Sequence, residues 1–425
     1  MVSQDASIAS DGNASDGFAS QALSHLKILD LSRILAGPWT AQLLGDLGAE
    51  VIKVERPESG DDTRGWGPPY LAGTDKKHSP ESAYYLSTNR NKRSITVDIT
   101  TPEGQDIIRR LAQASDVLIE NYKVGGLKAY GLDYESIQKV NPRLVYCSIT
   151  GFGQTGPYAP RPGYDLLIQA MGGMMSITGD KAGAAGAGPQ KVGVAVVDIL
   201  TGLYAATGIL AALAHRDRTG EGQHIDLALL DVEVACLANQ GMNYLVSGIA
   251  PERLGNAHPN IVPYQDFETA DGSMIIAVGN DSQFVRLCEA IGLEALAKEP
   301  RYATNRDRVA NRDRLVREIA GHLKTRPARE WVSLIQAAGV PCGPINTIAD
   351  VFKDPQVIAR GMQRSMESLS ANPVPLISNP LNLSVTPVRY RLPPPKLGEA
   401  NAQILGERLG ISTAELEALA RRKAI

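Results

Sequence analysis

Asp198 stands before the apolar stretch ILTGLYAATGILAALAH, which has helical spacing and ends at about His215. An acid at a helix start ordinarily caps the helix by accepting a first-turn N–H. The same position suits a nucleophile. The helix dipole favours an ionised carboxylate, and a carboxylate must be ionised to attack a thioester. A second group is cationic: Arg56 directly follows a predicted strand, with Arg64, Lys92 and Arg93 in nearby loops. Arginine grips phosphate through paired donors, although such residues are as readily solvated surface charge. A third group is the loop Gly255-Asn256-Ala257-His258-Pro259-Asn260. With Gln265 it supplies Asn256 and His258, donors able to pair with a carboxylate whose burial would otherwise be costly; the plainer alternative is an exposed loop histidine.

Other patterns exclude chemistry. The turn after the first predicted strand reads Ser32-Arg33-Ile34-Leu35-Ala36-Gly37-Pro38, one glycine followed by proline. It cannot supply the G-x-G-x-x-G cradle of a dinucleotide site, even though Glu55 ends the second strand where a ribose-binding acid would sit. Cys147, Cys236, Cys288 and Cys342 form no C-x-x-C, and the six histidines form no H-x-x-x-H, so no metal site is expected. The cysteines read as reduced thiols. Lys+Arg is 43 against Asp+Glu 46, a net charge of -3, which gives no case for nucleic acid or an anionic membrane. No apolar run is expected to reach the roughly 20 residues of a membrane span.

The elements that must position these residues alternate. Leu26–Leu31, Glu50–Glu55, Ser94–Ile99, Asp116–Asn121 and Leu144–Thr150 read as strands, with a helix from about Trp39 to Leu47. Thr100 and Glu103 have capping-box spacing around Pro102, marking another helix start. The alternation predicts an α/β fold with a parallel, doubly wound sheet. The stretch Gly172–Gly193, containing GAAGAG, reads as a surface loop or a mobile flap. From about Gly255 the texture changes. Ala270-Asp271-Gly272 marks a hairpin between Tyr264–Thr269 and Ser273–Val278, and short amphipathic helices follow, as in a smaller α+β domain. The expected division is a tail over 1–25, a large domain over 26–228, a linker helix over 229–254, a small domain over 255–345 and a return segment over 346–425. The Ser/Ala/Gly-rich start lacks Lys and Arg up to Leu26 and is expected to be disordered, without a signal peptide or clear mitochondrial presequence. A cytoplasmic location is expected.

Several segments resemble one family in order: KILDLSRILAGP, AEVIKVERPESGDDTRGWGPP, NRNKRSITVDI, DVLIENY, NPRLVYCSITGFGQTGP, GYD at Gly163–Asp165, KVGVAVVDILTG, TGEGQHIDLALLD and GVPCGPINT. The family is that of class III CoA-transferases, of the formyl-CoA transferase type. Within it the chain resembles members that use succinyl-CoA with short dicarboxylates such as glutarate, itaconate or 3-hydroxy-3-methylglutarate. The resemblance implies a Rossmann-like large domain built from both chain ends, a small inserted domain, and an interlocked homodimer. It implies Asp198 as nucleophile and Arg56 at the adenosine end of CoA. Val97, Asp98, Ile99 and Thr100, with Asn121, Tyr122 and Lys123, are implied CoA contacts, and Tyr164 and Asp165 lie beside the thioester. Ala129 stands where formyl-CoA transferases carry a CoA-binding arginine, leaving Lys123 or Lys128 to substitute. The family also favours His258 as a holder of the acyl group's far carboxylate.

The implied reaction exchanges one thioester for another through an aspartyl anhydride and an aspartyl-CoA thioester. Coenzyme A is then a substrate, and no resident cofactor is expected. Backbone N–H groups near Gly37 or the Gly-rich stretch are candidates for holding the oxyanions. Two readings compete. An α-methylacyl-CoA racemase of the same fold would need a histidine where Tyr164 stands, and tyrosine, with an ordinary pKa of about 10, is a poor base at neutral pH. A non-catalytic acyl-CoA-binding protein would not need Asp198.

Overall fold

The computed structural model describes residues 21–72, 78–367 and 373–425. The first twenty residues of the expected tail lie outside the described residues. Gln21 is buried, and its amide donates to the Asp46 carbonyl at 3.1 Å. The chain forms two compact units. One comprises the described residues up to 172, together with 193–238 and those from 359 onward; the other comprises 173–192 and 239–358.

The first unit is built on six strands: β1 (Lys27–Asp30), β2 (Glu50–Glu55), β3 (Lys92–Thr96), β4 (Val117–Glu120), β5 (Val145–Thr150) and β6 (His224–Ala228). Their sequences KILD, EVIKVE, VLIE and VYCSIT are near-continuous apolar runs, as expected of strands covered on both faces. All neighbours are parallel, in the order β3-β2-β1-β4-β5-β6. The sheet therefore reverses its winding between β1 and β4, and in such sheets ligands bind beyond the strands' C-terminal ends at that point.

Two apolar layers cover the sheet. One contains Leu29, Val54, Ile95, Ile108 and Tyr146, and the C-terminal segment closes it with Ile404, Leu405 and Leu419. Helix α1 (Ala36–Asp46) and a long helix over Val196–Thr219 build the other, where Leu44, Ala205 and Ile209 meet Ile28 and Ile119. Helix α2 (Pro102–Gln113) starts one residue later than the capping-box spacing predicts. Thr101 is the cap, accepting the Gly104 N–H, because Asp98 already engages the Thr100 hydroxyl at 2.7 Å. A short helix, α3, spans Asp165–Met171.

The long helix, α4, is long and apolar enough to cross a membrane by length and composition, contrary to the expectation that no run reaches that span. In the fold one of its faces is core. Gly202 lets it approach α1: a Cβ there would stand 2.9 Å from the Ala36 carbonyl oxygen and 3.0 Å from the Trp39 ring.

In the second unit β7 (Tyr264–Glu268), β8 (Ser273–Ala277) and β9 (Cys342–Pro344) form an antiparallel sheet. The predicted hairpin is present; the Thr269 N–H donates to Gly272 O at 2.8 Å. Helices α5 (Asp281–Ala290), α6 (Arg312–Leu323) and α7 (Ala328–Ala337) share a core of Phe284, Leu287, Leu315, Ile319, Trp331 and Ile335. Most of the glycine-rich stretch belongs to this unit and is tied to it, Ala182 N–H donating to Arg253 O at 2.9 Å.

Candidate active site

A cleft of about 490 Å³ opens in the first unit. Its walls come from the segments that follow β1 through β5, so the reversal of strand order places it. Ser32 to Leu35, after β1, is its floor. Ile34 holds a left-handed φ of 75°, unfavourable for a β-branched residue. Buried polar groups enforce that turn. Asp30 accepts from the Ser32 N–H at 3.0 Å, and Lys53 Nζ donates to Ser32 O at 3.1 Å. The Asp61 carboxylate takes Lys53 at 2.8 Å and the Ile34 N–H at 3.3 Å. Asn121, after β4, clamps the backbone of Arg33, accepting its N–H at 2.9 Å and donating to its carbonyl at 2.7 Å. Burial alone would raise the Asp61 carboxyl, but the Lys53 ammonium and the Thr63 donors overcome it and hold it down to about 2.

Ten of the residues picked from the sequence line this cleft: Arg56, Val97, Asp98, Ile99, Thr100, Asn121, Tyr122, Lys123, Tyr164 and Asp198. Lys123 lines it while Lys128 does not. The other three cations near β2 are committed elsewhere. Lys92 is fully buried on Asp30 at 3.0 Å, Arg64 pairs with Glu55 at 2.7 Å, and Arg93 pairs with Glu50 at 2.6 Å. Only Arg56 of the four lies on the cleft wall, and Glu55, the position of a ribose acid, is spent on Arg64.

Asp198 is not the cap that the sequence suggested. α4 begins two residues earlier, at Val196, and its N-cap residue, Ala195, has no side-chain acceptor. Asp165, buried at the start of α3, supplies it instead: its carboxylate accepts the Val197 N–H at 2.9 Å and the Asp198 N–H at 3.4 Å, and its second oxygen accepts from Gln169 at 2.6 Å. Asp198 is thereby left on the cleft wall, and its carboxylate accepts no hydrogen bond among the described residues. Burial, and then the charge of Asp165, push its carboxyl up to about 7. The α3 segment is held by a close backbone crossing: a Cβ on Gly163 would lie 2.5 Å from the Gly151 Cα. Only paired glycines permit that approach beside Tyr164.

The sequence reading missed three contributors. Arg33 and Arg161 both line the cleft. Burial, and then the charges of Asp198 and Asp165, keep the phenol of Tyr84 protonated up to about 12. Arg33 lies in a turn judged only for its missing glycines, and Tyr84 falls between two recognised segments.

Asn256, His258 and Gln265 belong to the second unit and are not among the lining residues. Asn256 is exposed, and Gln265 lies on β7 rather than in the loop. His258 Nδ1 accepts the Asn260 N–H at 3.0 Å, which leaves its proton on Nε2. Burial and the Arg312 charge lower its pKa, so the ring is a neutral donor. Arg312 holds the loop through the His258 carbonyl at 2.7 Å, and its Nη1 is a buried donor without a partner among the described residues.

The family model for CoA-transferase family III matches residues 23–401. The succinate–glutarate CoA-transferase of Agrobacterium fabrum is 54% identical over 385 residues, covering 91% of this chain and 95% of that protein. The human succinyl-CoA:glutarate CoA-transferase is 45% identical, covering 91% and 85%. A crystal structure of a CAIB/BAIF family protein from Brucella suis superposes with a TM-score of 0.79 at 51% identity, covering 92% of this chain and 99% of that one.

Proposed function

The chain belongs to CoA-transferase family III, and from that premise we propose that it moves coenzyme A from succinyl-CoA to glutarate through the carboxylate of Asp198. The observation that carries the proposal is an unpaired aspartate on the wall of a cleft whose other walls carry Arg33, Arg56 and Lys123. A nucleophile needs a free lone pair, and a nucleotide-bearing thioester needs cations.

The ionised Asp198 attacks the succinyl carbonyl. An aspartyl–succinyl anhydride forms and CoA leaves as its thiolate. The thiolate returns to the aspartyl carbonyl, giving an aspartyl-CoA thioester and free succinate. A glutarate carboxylate displaces CoA from that thioester, forming the aspartyl–glutaryl anhydride. The thiolate then attacks the glutaryl carbonyl, and Asp198 is regenerated as a carboxylate. Every step trades one activated acyl bond for another, so no ATP is consumed.

Glutarate leads because two similar proteins carry that acid in their names; itaconate and 3-hydroxy-3-methylglutarate follow as acids of similar reach. Recognition of a second carboxylate by His258 rests on the family resemblance, and its ring is a neutral donor suited to that role. The test is a competition of acids against one limiting pool of succinyl-CoA, read by mass spectrometry, with hydroxylamine trapping of the aspartyl adduct. Glutaryl-CoA is expected to dominate, with a hydroxamate on the Asp198 peptide. A formate or fatty-acid product in excess overturns the acid assignment; a trapped enzyme without any adduct overturns the aspartyl route.

A further inference from the structure

Asp62 joins two arginines at the cleft. Arg33 Nη1 donates to one of its oxygens at 2.7 Å and Arg56 Nη2 to the other at 2.5 Å. The three side chains are half-buried to exposed, so solvent ions reach them. Arg33 is the better fixed of the two cations. Asn121 clamps its backbone on both sides, and its guanidinium stands 5.7 Å from the Tyr122 ring centroid. Yet its Nε–H is buried and has no hydrogen-bond partner among the described residues. A preset guanidinium with one buried donor unused is poised for a further acceptor, since leaving such a group unpaired is unfavourable. The set also carries net positive charge: two cations to one carboxylate.

Resting on the CoA-transferase reading, we infer that Arg33 is a second phosphate-binding arginine of the cleft, and that Asp62 is an internal anion which both arginines exchange for a phosphate of the CoA thioester. The carboxylate holds the two guanidiniums apart and oriented. A 3′-phosphate has three free acceptor oxygens against the carboxylate's two, and the pyrophosphate offers two on each of its phosphorus atoms. Either can therefore take the Nη donors and the idle Nε–H together, which Asp62 does not do. The exchange limits how tightly CoA is held, as suits an enzyme that must release one thioester for every one it makes.

The test measures Kd by calorimetry for CoA, 3′-dephospho-CoA and pantetheine on the intact protein. Arg33→Met is expected to weaken CoA by about tenfold to a hundredfold and to leave pantetheine unchanged. Arg33→Lys, which keeps the charge but loses the fork, falls between. Asp62→Asn is expected to tighten CoA by about twofold to fivefold. The 3′-dephospho ligand tells which phosphate is involved: if it is unaffected by Arg33→Met, the 3′-phosphate is the partner, and if it weakens as CoA does, the pyrophosphate is. Equal losses for CoA and pantetheine would mean that Arg33 shapes the cleft and binds no phosphate. Weaker CoA on Asp62→Asn would mean that Asp62 only positions the arginines. A rise in KM for glutarate with CoA binding intact would assign Arg33 to the acid. Each of these overturns the inference. Failure of the wild-type protein to bind CoA would instead remove the reading beneath it.

Discussion

At the scale of single residues, the chemistry turns on two carboxylates with different neighbours. Asp165 spends its oxygens on the start of α4 and on Gln169, and Asp198 keeps its own free. Because burial and Asp165 raise the Asp198 carboxyl to about 7, the nucleophilic form grows in as pH rises through that value. The kcat/KM profile for succinyl-CoA should therefore fall off below about pH 7. Asp165→Asn removes the like charge but not the burial, so the limb should move to lower pH without reaching the ordinary carboxylate range. A limb that stays in place would mean Asp165 has no electrostatic part. Asp198→Asn should lose roughly 10³-fold or more of turnover while still binding CoA. The same shift makes a stability statement. The folded carboxyl binds its proton more tightly than the unfolded one, so this residue costs stability as pH climbs from about 4 to about 7, and the cost persists above. Asp198→Asn should thus unfold at higher denaturant than wild type at pH 8, with the difference closing toward pH 4. Asp198 itself was legible in the sequence as an acid ahead of an apolar helix. Its freedom was not, because the residue that replaces it as cap comes from α3, thirty-three positions upstream, and no local pattern reports that contact.

At the scale of elements, the strands were readable because a parallel sheet covered on both faces needs continuous apolar runs. The order 3-2-1-4-5-6 then puts the loops after β1 and β4 side by side. The sequence did not reveal how the floor of the cleft is held. Lys92 reads from the sequence as a loop cation, yet it starts β3, and both it and Lys53 are fully buried, because Asp30 and Asp61 from other segments meet them. These pairs support a turn whose Ile34 sits at a positive φ. Lys53→Met removes a buried ammonium and leaves the Asp61 carboxylate without its counter-ion, held only by the Ile34 and Thr63 donors, and breaking a buried pair in this way typically costs about 3–5 kcal/mol. Chemical denaturation should show that loss, and CoA affinity should fall with it, since the Ile34 turn relies on the same carboxylate. Undiminished stability would mean that the pair is replaceable by packing alone.

At the scale of the whole molecule, the single chain exposes more apolar surface than its own fold uses. On α4 one side packs through Ala205, Ile209 and Ala212, while Leu203, Tyr204 and Leu210 face outward. Further along the chain, the helix Ala238–Ser247 and its exit leave Leu245 73%, Val246 80% and Ile249 74% exposed, and Val385 in the returning segment is 84% exposed. Large apolar side chains left this exposed, in each of the two units, mark protein contacts when they gather on a surface. We propose that the interlocked homodimer implied by the family resemblance covers them. Its two copies would separate only by large opening of the chain, so dilution should not dissociate it. Light scattering on the eluting protein should give twice the chain mass of 45.4 kDa at micromolar and at nanomolar loading alike. In the proposed dimer Val246→Asp would place a charge on a covered face and should lower the unfolding temperature, because the unpaired charge must be desolvated on assembly. A 45.4 kDa species at micromolar concentration in the wild-type protein would reject the dimer. An unchanged unfolding temperature for Val246→Asp within a proven dimer would show that the dimer forms through a different face.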